Sequence, residues 1–196
     1  SSAAYDKRTA LQFVLLRQKK LADAESLARE ALASVHRMIG PRSAYTFKAQ
    51  ARLARVLTWR EHDSEEAESL ARQSSESADL AYGPVEDFAS YHHAIWAAAV
   101  RQRHHPEQAE AMLRERINLR GRRSPQFDGA WVEAYQYLQL ALCLADQNRH
   151  AEASEAIRTA RAWADALKDP LYPTLLNILD VQPRLEAALP DPAGHR

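Results

Sequence analysis

The chain has 196 residues, of which 46% are hydrophobic and 27% are charged, and these fractions are typical of a globular domain. Lys and Arg together number 26, as do Asp and Glu, and this balance argues against a dedicated nucleic-acid-binding module, which is usually strongly basic. A single cysteine, Cys143, excludes an intrachain disulfide and favours a reducing, cytoplasmic setting. No apolar run approaches the roughly 20 residues that cross a bilayer, so we expect no membrane contact within this segment.

One sequence pattern occurs four times along the chain. It begins as LADAESLAREAL at residues 21–32 and returns at residues 64–75, 106–117 and 151–162. The alanines that anchor the alignment are Ala24, Ala67, Ala109 and Ala153. Self-similarity at a nearly constant period predicts an architecture built from repeated units.

Apolar residues at helical spacing predict a helix over residues 5–18 and a second over residues 21–39. The second helix is expected to end at Gly40-Pro41, because glycine fits a left-handed cap and proline cannot continue a helix.

The next two units repeat this plan. Helices are predicted over residues 43–61 and 65–82, then over residues 87–102 and from Pro106 to about Arg120. Asp63 is the expected N-cap of the helix that begins at residue 65, with a glutamate three residues later completing a capping box.

Residues 128–147 and 151–167 predict the helices of a fourth unit, and residues 171–189 predict a terminal helix. Residues 191–196 are expected to form a frayed tail. We therefore predict an all-α fold and a single domain over residues 1–190, with units at about 5–41, 42–84, 85–125 and 126–170. No unit can bury its apolar stripe alone, so neighbouring units must stack.

The units resemble tetratricopeptide repeats, and especially the longer form of about 42 residues known from kinesin light chains. The resemblance rests on the four anchoring alanines and on Trp96-Ala97, Leu140-Ala141 and Leu53-Ala54 in the first helices. The first unit departs from the pattern with Leu11-Gln12, and its opening helix is expected to be a cap. Residues 34–47 resemble the glycine–proline–x–serine/threonine link of that subfamily. The resemblance implies a right-handed helix–turn–helix solenoid of four tandem repeats plus a C-terminal helix.

In that family the first helices of the units line a concave groove that holds an extended peptide or a helix. Counting from the small residue of each first helix gives the groove candidates: Phe13, Leu16, Arg17, Lys48, Ala51, Arg55, Thr58, Trp59, Tyr91, Ala94, Ala98, Arg101, Gln102, Tyr135, Leu138, Leu142, Ala145 and Asp146. Cations among them favour an acidic ligand or a peptide carboxylate, and aromatic groups supply contact area. The alternative is that the leucines and Phe13 are core residues and the arginines form a solvated face.

Paired histidines and a basic stretch suggest other chemistry. Adjacent helical residues point about 100° apart, so neither His92-His93 nor His104-His105 can chelate a metal as a unit, and no zinc-site spacing is present. We interpret both pairs as turn and helix-surface histidines. Arg120, with residues 122–123, is expected to form a solvated basic loop. Cys143 is expected to be a small core residue.

The sequence thus predicts a protein–protein interaction module with an acidic protein or peptide partner, no cofactor and no metal, as a monomer or a homodimer. Because the chain opens with SSAAY rather than Met, we expect a piece of a longer protein. Arrays similar to tetratricopeptide repeats occur in bacterial signalling proteins, so the resemblance implies a larger bacterial-type signalling or regulatory protein. Alternatives are homo-oligomerisation through an exposed apolar end or through Trp59 and Trp163, and a ligand-sensing domain of a kinase or a transcriptional activator. An enzyme is the least expected class, since no phosphate-binding loop and no G-x-S-x-G is present.

Overall fold

The structure is a computed structural model, and it describes residues 11, 14–16, 18–60, 64–121 and 129–165. Seven helices have complete bounds in these ranges: α1 (Leu21–Ile39), α2 (Ala44–Trp59), α3 (Glu65–Tyr82), α4 (Asp87–Gln102), α5 (Pro106–Arg120), α6 (Ala130–Asp146) and α7 (His150–Asp165). The described residues contain no β-strand, which confirms the all-α class for this part of the chain. None of these helices is both long enough and apolar enough to cross a membrane.

Local sequence signals set most helix boundaries. α1 and α3 end before Gly40 and Gly83, whose φ angles of 96° and 90° are readily adopted only by glycine. α2 and α3 begin after Ser43 and Ser64, whose hydroxyl oxygens accept the backbone N–H three residues later. The prediction of Asp63 as the cap of α3 is wrong in that Ser64 fills this role, and Asp63 itself lies outside the described residues.

α1, α3, α4 and α5 have the predicted bounds, whereas each of the other helices begins one or two residues from its predicted start. α6 begins at residue 130 rather than 128, and α7 begins at residue 150 rather than 151. Much of the predicted helix over residues 5–18 lies outside the described residues, as do the whole predicted terminal helix at 171–189 and the tail at 191–196.

The helices pack in chain order, each against the next, from α1 to α7. In addition, α2 contacts α4, and α4 contacts α6, so these three helices lie side by side. α4 is consequently enclosed by α2, α3, α5 and α6. This enclosure explains why almost every position of α4 between residues 89 and 100 is buried.

Alanines form the closest helix contacts. The anchoring residues Ala24, Ala67, Ala109 and Ala153 expose 2% of their surface or less. Their counterparts on α2, α4 and α6, which are Ala54, Ala97 and Ala141, are fully buried in the same hydrophobic cluster. Because helix packing distances depend on the side chains at the contact, alanine at these points lets neighbouring backbones approach closely.

Three of the turns within helix pairs have the same backbone geometry. Lys19, His104 and Asn148 have φ angles of 56°, 62° and 59°. In each turn the N–H of this residue binds the carbonyl oxygen three positions earlier, at 2.9 to 3.0 Å. The recurrence indicates that these pairs are built in the same way, and the turn at residues 61–63 lies outside the described residues.

Arg116 on α5 ties that helix to the preceding pair. Its side chain is only 6% exposed, and its two terminal nitrogens each donate to the Asp79 carboxylate at 2.8 Å. One of these nitrogens also donates to the carbonyl oxygen of Pro84 in the linker between α3 and α4. The fork of a guanidinium suits this bidentate contact, which a lysine could not make.

Arg120 makes a second contact of this kind at the last position of α5. The prediction that it lies in a solvated loop is wrong, because it is only 8% exposed. Its Nε donates to the Glu133 carboxylate at 2.9 and 3.0 Å, its Nη2 lies 2.8 Å from Asp87 Oδ1, and its Nη1 donates to the carbonyl oxygen of Val85 at 3.0 Å. Residues 122–123 lie outside the described residues.

Gly129 leaves no room for a side chain beside this arginine. A Cβ atom there would lie 2.8 Å from Arg120 Nη2 and 2.9 Å from Asp87 Oδ1. Because its partners hold the guanidinium in place, we expect Gly129→Ala to lower the free energy of unfolding by about 1–3 kcal/mol in urea titrations followed by circular dichroism. Gly121→Ala is the matched control, since a Cβ there meets only carbonyl oxygens at 3.5 and 3.8 Å. Equal stability of the two variants would contradict this account.

Candidate binding surface

Most of the predicted binding residues come together on three helices. Fifteen of the eighteen groove candidates lie on α2, α4 and α6. Of the other three, Phe13 and Arg17 lie outside the described residues, and Leu16 precedes α1. Several groove candidates are core residues with 4% exposure or less: Leu16, Ala51, Ala94, Ala98 and Leu138. Leu142 and Ala145 are half-buried.

Arg55 on α2 is bound to Tyr91 on α4. The guanidinium Nη1 donates to the phenolic oxygen at 2.5 Å, and Arg55 is only 6% exposed. The ring of Tyr91 in turn packs against Tyr135 on α6, with 5.1 Å between the ring centroids. Burial raises the pKa of the Tyr135 phenol, and neighbouring Tyr91 raises it further, while Arg55 and Arg101 act in the opposite direction. Two arginines and two tyrosines from three helices therefore form one cluster.

The C-terminal turns of the same helices are also linked. Gln102 donates from Nε2 to the carbonyl oxygen of Thr58, which joins α4 to α2. Arg101 donates from Nη1 to Asp146 Oδ2 at 2.7 Å, which joins α4 to α6. These four predicted binding residues thus form two contacts, one between α4 and α2 and one between α4 and α6.

The predicted binding residues differ in their exposure to solvent. Thr58 and Tyr135 are 4% and 2% exposed, so they act as packing residues. Lys48, Trp59, Tyr91, Arg101 and Gln102 are half-buried, and Asp146 is exposed. The accessible part of the surface is therefore aromatic and cationic, with one carboxylate beside Arg101.

An aromatic row, which the sequence reasoning only partly found, borders this surface. It consists of Phe47, Tyr82, Phe88, Trp131, Tyr91 and Tyr135, with 4.9 to 6.1 Å between successive ring centroids. Phe88 is 47% exposed, and the ammonium group of Lys48 lies 4.8 Å from the centre of its ring. Phe88 and Trp131 were missed because the groove positions were counted from the small residue of each helix. Both lie one helical turn before a counted tyrosine, and that spacing was the available signal.

The histidines of α4 are buried, and the interpretation of His92-His93 as helix-surface residues is wrong. They are 3% and 8% exposed because four helices enclose α4. Burial lowers the pKa of each imidazole to about 4, and both are therefore neutral at pH 7. His104 and His105 lie exposed in and beside a turn, as interpreted from the sequence.

His92 is held by a buried serine. Ser74 Oγ donates its single proton to the carbonyl oxygen of Phe47 at 2.6 Å. The hydroxyl oxygen is then an acceptor for His92 Nδ1, which lies 2.7 Å away. The hydrogen-bond pattern therefore assigns the proton of the neutral imidazole to Nδ1.

Neither a metal cluster nor an activated thiol is found in the described part of the chain. No group of three or more His, Cys, Asp or Glu side chains in these ranges is arranged to hold a metal ion. Cys143 is fully buried, as predicted, and burial raises the pKa of its thiol to about 12. A thiol protonated at neutral pH is a poor nucleophile, so Cys143 acts as a core residue.

No protein-family model matches this chain, and no curated protein sequence matches it. The indications of function are therefore the surface of α2, α4 and α6 and the side chains that these helices bring together.

Proposed function

We propose that this chain is a protein–protein interaction module that binds a peptide or a helix of a partner across α2, α4 and α6. One observation carries the proposal: three helices that are far apart in sequence lie side by side and present aromatic and cationic side chains on one partly exposed surface. Tyrosine, tryptophan and arginine are the residues most enriched at binding hot spots.

We also propose that the helix pairs are tetratricopeptide-like repeats stacked into a right-handed solenoid, with this surface as the concave groove. Three features support this: the shared turn geometry, the buried alanines at corresponding positions, and the direct packing of α2 on α4 and of α4 on α6. In stacked repeats each unit contacts only its neighbours, and the first helices form an extended surface.

The charges on the surface favour an acidic ligand. Arg101 is 16% exposed and donates to the Asp146 carboxylate, so a carboxylate is already the partner of its guanidinium. Lys48 and Arg55 add positive charge on the neighbouring helix. A ligand carboxylate that replaces Asp146 would gain charge-assisted hydrogen bonds while its apolar side chains contact the aromatic row.

The proposal is tested by selecting peptides from a random display library on the 196-residue chain. We expect acidic peptides with aromatic or aliphatic side chains, and we expect Arg101→Gln to weaken a selected peptide by about tenfold in calorimetric titrations, through loss of a charge-assisted bond. Arg72→Gln is the matched control, because that side chain is 56% exposed on α3 and lies 4.0 Å from its nearest carboxylate. Equal affinities of the two variants, or no selected peptide at all, would refute the groove assignment.

Self-association is a second candidate function, favoured by exposed apolar residues outside the aromatic row. Met38, Ile39 and Leu80 are 67%, 53% and 91% exposed near the C-terminal ends of α1 and α3. Trp59 and Trp163, by contrast, pack partly buried against the core. Sedimentation velocity over a range of protein concentrations, with Leu80→Lys for comparison, separates an assembly module from a monomeric peptide binder.

A further inference from the structure

The join between the pair α4–α5 and the pair α6–α7 is held by a set of polar contacts, which we call the clasp. Glu110 on α5 is 9% exposed and accepts hydrogen bonds from Gln147 at 2.8 Å and from Arg149 at 2.6 Å. Glu152 pairs with Arg149 at 2.6 Å and lies 3.7 Å from Arg114 on α5. Glu110 and Arg114, four residues apart on α5, therefore contact polar side chains of the following pair. These are Gln147, Arg149 and Glu152.

Two buried apolar side chains on α6 accompany the clasp. Leu140 and Cys143 on α6 are 4% and 0% exposed. Burial raises the pKa of the Cys143 thiol, while the charge of Arg101 on the preceding pair lowers it and that of Glu110 raises it. The covered join thus combines buried apolar side chains on the first helix with polar side chains in and after the turn.

The same pattern of residues recurs near the N-terminus. Residues 18–24 read QKKLADA, and residues 147–153 read QNRHAEA. The glutamine, the basic residue and the acidic residue of the clasp correspond to Gln18, Lys20 and Asp23.

The two turns also share their backbone structure. The central residues, Lys19 and Asn148, have φ angles of 56° and 59°. In both turns the N–H of the basic residue binds a leucine carbonyl oxygen five positions earlier at 2.9 Å. In both, the N–H of the alanine that ends the pattern binds the carbonyl oxygen of the basic residue at 3.0 Å. The side chains of Gln18, Lys20 and Asp23 are therefore attached to a backbone of the same geometry as those of their counterparts in the clasp.

Among the described residues, no helix covers the N-terminal copy of this arrangement. Leu11 and Val14 correspond to Leu140 and Cys143 of the covered join, yet they are 50% and 45% exposed. Gln18, Lys20 and Asp23 are exposed, and none of the three has a side-chain partner among the described residues. We call these five residues, Leu11, Val14, Gln18, Lys20 and Asp23, the open edge.

We propose that the open edge docks a helical hairpin whose second helix carries the pattern Ala-Glu-x-x-x-Arg. This is the pattern of residues 109–114, the part of α5 that occupies the equivalent place at the covered join. The glutamate of the partner accepts from Gln18 and Lys20, and its arginine pairs with Asp23. The apolar side chains of the hairpin cover Leu11 and Val14.

The partner is a separate hairpin rather than the α6–α7 end of a second copy. At the corresponding place on α7, residues 153–158 read ASEAIR, so Ser154 replaces the glutamate. Without that carboxylate, α7 offers no acceptor for Lys20. In α1 and α3 the glutamates of this pattern are already paired, Glu25 with Arg60 and Glu68 with Arg103.

The test uses the full chain labelled with nitrogen-15. Because a helix pair taken alone cannot bury its apolar stripe, the probe is a synthetic peptide of residues 106–120, which carries the Ala-Glu-x-x-x-Arg pattern and is held helical by a covalent staple on the face opposite Glu110 and Arg114. We expect the amide resonances of the open edge to shift on titration. Reversing the charges with Lys20→Glu and Asp23→Lys should weaken the probe by about tenfold, and a probe with Glu110→Lys and Arg114→Glu should restore the affinity. Glu155→Lys with Arg158→Glu is the matched control, because that pair is exposed on α7, with 68% and 65% side-chain exposure.

Three outcomes would overturn the proposal. The first is the absence of shifts at the open edge at saturating probe, or shifts confined to α6 and α7, which would mean that the probe displaces the chain's own α5. The second is an affinity that the charge reversal leaves unchanged or that the reversed probe fails to restore. The third is the same set of shifts produced by unlabelled full chain, which would identify the partner as a second copy.

Discussion

Replacing Arg120 by alanine is expected to lower the free energy of unfolding by about 4 kcal/mol, the range seen when one partner of a buried ion pair is removed. The guanidinium holds Glu133, Asp87 and the carbonyl oxygen of Val85. Without it, two carboxylates would face each other at a site where their side chains are only 20% and 32% exposed. The loss exceeds that of a surface pair because water cannot fully replace the arginine.

The stability lost by Arg120→Ala should be larger at neutral pH than at acidic pH. Burial already raises the pKa of Glu133, and Arg120 opposes that shift. Removing the arginine raises the folded-state pKa further, so the charge on Glu133 costs more stability as pH rises. We expect the variant to lose more stability near pH 7 than near pH 5 in urea titrations. Arg72→Ala, an exposed control on α3, should change stability by less than about 0.5 kcal/mol. A similar small change for Arg120→Ala would contradict the buried network.

Acid should destabilise the fold through its two buried histidines. Folding lowers the pKa of His92 and of His93 from 6.5 to about 4. Between these values the unfolded chain binds protons that the folded chain does not, so stability falls as pH falls from 6.5 towards 4. The free energy of unfolding is lowered by about 3 kcal/mol for each histidine once the pH reaches the folded-state pKa.

The contribution of each histidine is measured by comparing the slope of stability against pH with that of a variant. His92→Asn keeps a donor near Ser74 and cannot be protonated, and His93→Leu replaces an imidazole whose Nδ1 has no hydrogen-bond partner. Each variant should show a shallower slope between pH 6.5 and about 4, by up to one proton. Gln108→Ala, at an exposed position of α5, is the control and should leave the slope unchanged. Unaltered slopes in both buried-site variants would show that these histidines are protonated in the folded chain.

The helices were largely predictable from sequence because their signals are local. Gly40 and Gly83 end α1 and α3 through a positive φ angle, and the bounds of α4 follow from apolar spacing alone. The alanine contacts were also predictable, since a small residue that recurs at a fixed interval marks a close approach of backbones.

The buried charges were not predictable in this way, because burial depends on partners that are distant in sequence. Arg116 meets Asp79, 37 residues earlier, and Arg120 meets Asp87 and Glu133 on two other helices. Adjacent positions such as His92 and His93 usually point to different faces of a helix, and both are buried only because α4 has neighbours on four sides. Composition and residue spacing do not show which residues of distant helices come into contact.

Sequence spacing grouped the candidate residues, but it did not predict which of them contact one another. Counting along each first helix placed Arg55, Tyr91, Arg101 and Asp146 on one side of three helices. Which of them bind one another depends on the offset between neighbouring helices, and that offset is set by packing. The structure pairs Arg55 with Tyr91 and Arg101 with Asp146, so a ligand competes with bonds that already exist.

The aromatic row provides an optical signal for the assembly of the helix pairs. Its rings come from α2, α3, α4 and α6, and the closest pair is Trp131 and Tyr91, with 4.9 Å between their centroids. Rings in a fixed asymmetric arrangement produce near-ultraviolet circular dichroism, and loss of fixed packing removes it while far-ultraviolet signals from helices persist. Near-ultraviolet spectra therefore report whether three successive pairs are joined, and far-ultraviolet spectra report whether the individual helices are formed.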